Sequence, residues 1–74
     1  MKVSIEYCAS WNYKPRASRL EQELKQALGS DLEVELIASS GGVYEICVHG
    51  KNIFSKKQLY RFPDDGEILN LINR

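Results

Sequence analysis

Residues 2–7 alternate in character. Val3, Ile5 and Tyr7 are apolar while Lys2, Ser4 and Glu6 are polar, the two-residue period of a strand with one buried face. Cys8 to Trp11 follow as a short loop, and the period then changes. Ala17, Leu20, Leu24, Ala27 and Leu28 recur at helical spacing, which predicts a helix with one apolar stripe. Asn12 is its expected N-cap. Pro15 is then the third helical residue, where a missing N–H leaves no bond unmade. Glu21 and Lys25 form an i,i+4 pair on the outer face, and Gly29 supplies the stop.

Alternation returns at Leu32, Val34 and Leu36, set between Glu33 and Glu35, and predicts a second strand. Ser39-Ser40-Gly41-Gly42 reads as a turn. Tyr44, Ile46 and Val48 alternate with Glu45, Cys47 and His49 as a third strand. Gly50-Lys51 suits a two-residue hairpin with glycine first. That register sets Val48 opposite Ile53 and Cys47 opposite Phe54, with a fourth strand over 52–57 and a loop over 58–62. Asp64 is the expected cap of a final helix, with Glu67 three residues on and an apolar face of Ile68, Leu69, Leu71 and Ile72.

The order is β-α-β-β-β-α. Strands flanking a helix run parallel with a right-handed crossover. Each strand keeps one polar face, so both helices belong on one side of a four-stranded mixed sheet and the other side stays open. The expected class is α/β, and residues 1–74 form a single domain.

Composition narrows the function. Ten basic residues balance ten acidic ones, so the chain carries no net charge to draw it to nucleic acid or a membrane surface. No apolar run approaches the roughly 20 residues needed to span a bilayer. The start runs straight into Val3-Ser4-Ile5 without a signal-peptide core, and the expectation is a cytoplasmic protein with free thiols at Cys8 and Cys47.

Cys8 carries the strongest chemistry. It stands at the carboxyl end of the first strand, where α/β folds place their sites, and just before a helix N-terminus. Lys14, Arg16 and Arg19 add positive charge. All these influences lower a thiol pKa and raise the thiolate fraction; the competing reading is a buried cysteine packed as a small hydrophobe. Cys47 lies mid-strand on the open face, about 13 Å from Cys8 at the usual strand rise, too far for a disulfide. With Phe54 beside it, it would form a small apolar patch, the ground for a homodimer through the open face. His49 has no neighbours at ligand spacing, so no metal site is expected. Lys56-Lys57 reads as edge-strand protection, and Asp64-Asp65 as capping rather than a catalytic dyad.

The combination Tyr7-Cys8-x-x-Trp11-x-Tyr13-Lys14-Pro15, then Gly50-Lys51, then Ser55-Lys56-Lys57, resembles the selenoprotein W, T and H family. Gly41-Gly42-Val43-Tyr44-Glu45 and Phe62-Pro63 look like its bacterial branch. The resemblance implies a thioredoxin-like fold and glutathione-linked thiol redox chemistry, of the kind that serves redox homeostasis and antioxidant defence. It implies no tightly bound cofactor, with glutathione as a co-substrate that Lys14 and Arg16 would contact, and protein thiols or disulfides as partners. Cys8 matches the first cysteine of the family's Cys-x-x-selenocysteine or Cys-x-x-Cys motif, and Trp11 matches the second redox position. An indole exchanges no electrons with a disulfide. The tryptophan codon is one base from the UGA that encodes selenocysteine, so Trp11 is either a natural substitution or a stand-in for selenocysteine. Two functions stay open: a thiol oxidoreductase acting through Cys8, and a redox-inactive thioredoxin-like interaction module presenting the Trp11 loop.

Overall fold

A computed structural model describes residues 1–73. The alternating segments form β1 (Lys2–Cys8), β2 (Glu33–Ser39), β3 (Tyr44–Val48) and β4 (Lys51–Ser55). They join in one sheet of order β2-β1-β3-β4. β1 and β2 are parallel, joined through helix α1 (Lys14–Leu28); the other pairs are antiparallel. Two short helices follow, α2 (Lys56–Leu59) and α3 (Glu67–Ile72). The predicted class and strand directions hold, with α2 an additional element.

One face of the sheet carries the core. Val3, Ile5 and Tyr7 of β1, Tyr44 and Ile46 of β3, and Phe54 of β4 meet Ala17, Leu20 and Leu24 of α1 and Ile68 of α3. Both predicted helices therefore cover the same side. Burying a side chain such as Leu or Phe stabilises the fold by about 1.5–3 kcal/mol, and this cluster is where that gain is concentrated. Ala27, expected on the apolar stripe, is exposed instead. Leu24 and Leu28 already fill the inner face of the last turns.

The helix ends depart from the expectations. α1 is capped by Tyr13, without a side-chain bond, and Asn12 takes left-handed backbone at φ 60°. Asn12 tolerates that conformation better than most residues, and here it reverses the chain so that Tyr13 N–H can bond the Cys8 carbonyl at 3.1 Å. Pro15 is the second helical residue, not the third, and is equally free of an unmade bond. The cap of α3 is Gly66 rather than Asp64. The Glu67 side chain still reaches back to accept from Asp64 N–H at 2.9 Å, which is half of the expected capping box.

The hairpin turn is His49-Gly50, with φ of 50° and 80°, not Gly50-Lys51. Positive φ at both central residues is the mirror-image turn that matches strand twist. Val48 then pairs with Lys51 and Cys47 with Asn52. A bulge leaves Ile53 unpaired, and Ile46 faces Phe54. The extra residue swings Phe54 into the core, where it is 2% exposed, and Asn52 Nδ2 bridges the bulge by donating to the Phe54 carbonyl at 3.1 Å. The apolar patch expected from Cys47 and Phe54 on the open face is therefore not formed. That face shows Ser4, Glu6 and a half-buried Cys47, with Glu6 directly opposite Glu45.

β4 ends at Ser55, short of the expected residue 57. Ser55 Oγ accepts from Gln58 N–H at 3.3 Å and starts α2. Lys56 and Lys57 thus begin a helical turn and do not guard a strand edge.

Candidate functional site

β1 delivers Cys8 to the end of the sheet, and three backbone bonds fix the loop after it. Cys8 N–H bonds the Val43 carbonyl at 2.9 Å, Ala9 N–H the Ser39 carbonyl at 2.9 Å, and Asn12 N–H the Ala9 carbonyl at 3.1 Å. The loop is thereby strapped to both neighbouring strands. Cys8 has no exposed surface.

Burial works to raise the thiol pKa. It is outweighed by hydrogen bonds from the Ser10 hydroxyl and from the backbone N–H groups of Gly42, Trp11 and Ser10, so the pKa lies below its ordinary value. The Ser10 oxygen is 3.3 Å from the sulfur. Directed donors favour the charged form. The lowering was expected; its source is different. Lys14, Arg16 and Arg19 do not figure among its causes. The Arg16 guanidinium lies 3.9 Å from the centre of the Phe62 ring instead, and Lys14 is exposed.

Trp11 is 60% exposed. Its ring lies across Gly42: a Cβ built on that glycine would come within 2.5 Å of Cζ3 and 3.0 Å of Cε3. Gly42 has φ of 72° and is itself buried. The indole meets Tyr13 edge-on at 6.0 Å, Tyr13 meets Phe62 at 4.8 Å, and Phe62 meets Tyr44 at 5.3 Å. An aromatic run therefore leads from the cysteine loop along the start of α1.

Cys47 stands opposite Ser4, four residues from Cys8 along β1, and both thiols are free. At about 3.3 Å per strand residue the two lie roughly 13 Å apart. Ser10 and Gly42 are the residues that sequence reasoning missed. Their signals were present: a hydroxyl two residues after the cysteine, and the second glycine of Gly41-Gly42 at the head of β3.

No described helix is long and apolar enough to cross a membrane. Residues 2–74 match the Rdx family. A selenoprotein W of Danio rerio is 33% identical over 66 residues, covering 86% of this chain and 77% of the relative. A Selenoprotein W-related protein from Vibrio cholerae superposes with a TM-score of 0.91 at 29% identity, over 97% of this chain and 91% of that one. A crystal structure of a Bordetella parapertussis protein gives 0.92 at 29% identity, over 97% and 92%. With the cysteine loop strapped between β2 and β3 of a thioredoxin-like sheet, and likeness running along nearly its whole length, the chain belongs to the Rdx family, among the relatives of selenoprotein W.

Proposed function

We propose that this protein is a glutathione-linked thiol-redox protein acting through Cys8, with Trp11 at the position of the family's second redox residue. Membership of the family supports the thiol-redox role. The observation that carries the assignment to Cys8 is the Ser10 hydroxyl 3.3 Å from its sulfur, in a loop whose polar groups hold the thiol pKa below its ordinary value. Such donors stabilise a thiolate, which is the nucleophile of disulfide exchange.

The exchange follows from that geometry. The Cys8 thiolate attacks one sulfur of a glutathione or protein disulfide. The old S–S bond breaks, a bond to Cys8 forms, and the other sulfur leaves as thiolate. In a two-thiol site the second sulfur would resolve this adduct from within, at high effective concentration. Trp11 offers no sulfur, so an external thiol such as glutathione, after losing its proton, must attack and release Cys8. Because Cys8 has no exposed surface, the loop over it has to open for the first step.

A second reading draws on the same contrast of buried thiol and exposed indole: a redox-inactive module that presents Trp11 to a partner protein. Incubation with oxidised glutathione, followed by mass spectrometry, separates the two. The redox reading expects one glutathione on Cys8 at near-neutral pH, gained faster than on Cys47. Equal, slow labelling of both cysteines leaves the interaction module. A Trp11→Cys variant is expected to form an 8–11 disulfide, and a UGA codon at position 11 of the gene would make residue 11 a selenocysteine.

A further inference from the structure

A cleft of about 70 Å³ opens where the aromatic run ends. Phe62, Leu20 and Pro63 line it with Tyr44; Arg16 and Arg19 stand beside it together with Glu23, Asp64 and Asp65. Asp64 reaches Arg61 outside the cleft at 4.0 Å; among the described residues, Arg16, Arg19, Glu23 and Asp65 form no ion pair within 4.0 Å. Opposite charges thus face a common space without closing on one another. The Arg16 guanidinium is held over the Phe62 ring at 3.9 Å, which fixes its plane and leaves its N–H edges free. Burial pushes Tyr44 up to about 12, so its hydroxyl keeps its proton and remains a donor. A concave site with an apolar floor and a few convergent polar groups is the usual form of a small-molecule pocket.

We propose that this cleft binds an aminocarboxylate head group, the carboxylate on Arg16, Arg19 and the Tyr44 hydroxyl, and the ammonium on Glu23 and Asp65. A simple anion would leave the acidic groups facing it, and a simple cation would meet the guanidiniums. Only a ligand carrying both charges satisfies both sides. The γ-glutamyl end of glutathione has this chemistry, so the inference deepens the glutathione-linked reading and rests on it for its biological ligand. Binding itself needs no redox step. The cleft adjoins the cysteine loop: Tyr44 follows Val43, whose carbonyl holds the Cys8 amide, and Tyr13 joins the loop to Phe62.

The test uses S-methylglutathione, which cannot exchange disulfides, titrated into isotope-labelled protein with backbone amide shifts as the readout. Saturable shifts are expected around Arg16, Arg19, Tyr44 and Asp65. Acetate and methylammonium, each carrying one charge, are expected to bind at least about tenfold more weakly, and Arg16→Gln or Asp65→Asn to weaken binding by a similar factor. All the substituted side chains are exposed, and the spectrum of each variant verifies its fold. Absent shifts in the cleft, or equal binding of acetate alone, overturn the proposal. Cys8 labelling by a disulfide without charged ends, run on the same sample, keeps the two readings apart. Fast Cys8 labelling with no cleft shifts defeats the cleft and spares the thiol chemistry. Slow labelling by every disulfide with saturable cleft shifts does the reverse.

Discussion

Gly42 contributes to the lowered pKa of Cys8 through its backbone N–H, and its bare Cα meets the Trp11 ring. Any side chain there collides with the indole, and positive φ costs a non-glycine residue roughly 1–2 kcal/mol besides. Gly42→Ala is therefore expected to lower stability in urea by at least about 1 kcal/mol and to shift tryptophan emission as the ring is displaced. In a Trp11→Ala background the collision is gone and only the backbone cost should remain, a coupling that a double-mutant cycle measures. Ser10 acts on the thiol alone. With its hydroxyl removed, Ser10→Ala should move the pH midpoint of Cys8 alkylation upward toward that of an ordinary thiol, because a donor to the charged form is lost. An unchanged midpoint would assign the lowering to the backbone N–H groups. Cys8 was legible in the sequence because strand alternation ends there. Its donors were not, since Gly42 lies 34 positions away and only folding brings it near.

Short elements here are governed by their ends. Arg61 donates to both carboxylate oxygens of Glu67 at 2.7 and 2.8 Å, and Asp64 N–H adds a third bond. With the Arg61 bonds the larger cause, the Glu67 carboxyl is held at about 2. Its unfolded value is near 4.5, so protonation is harder in the folded chain. The stability that Glu67 contributes is complete above about pH 4.5 and is lost as pH falls through about 2. The gap in urea midpoint between the native protein and Glu67→Gln should hold at neutral pH and close over that window. Added salt should narrow it, because the pair is partly exposed; a gap indifferent to pH would assign it to packing. The Ser55-x-x-Gln58 spacing at α2 was readable as a helix start. It was overridden by the β-pattern running into it, and one missed cap placed both lysines on a strand that ends before them.

At the scale of the whole molecule, two layers share one cluster of buried side chains, and α1 enters it through Leu24, fully buried. Leu24→Ala is expected to cost about 2–5 kcal/mol. A core of this size rarely supplies more than about 3–5 kcal/mol, so the variant should melt far below the native protein or fail to fold. An urea or thermal melt reads the loss, and a change under about 1 kcal/mol would mean that the cluster relaxes around the gap. The local alternation of polar and apolar residues by itself determined the four strands, the long helix, the side of the sheet that is buried and the place of Cys8. Those are properties of neighbours in sequence, set by periods of two and of 3.6 residues. The register of the hairpin, the bulge that sends Phe54 inward, the source of the lowered Cys8 pKa and the seat of Trp11 on Gly42 were decided only by the tertiary structure. Each depends on which backbone groups meet across strands and loops, and a linear pattern carries no information on where a turn with positive φ will let those strands come to rest.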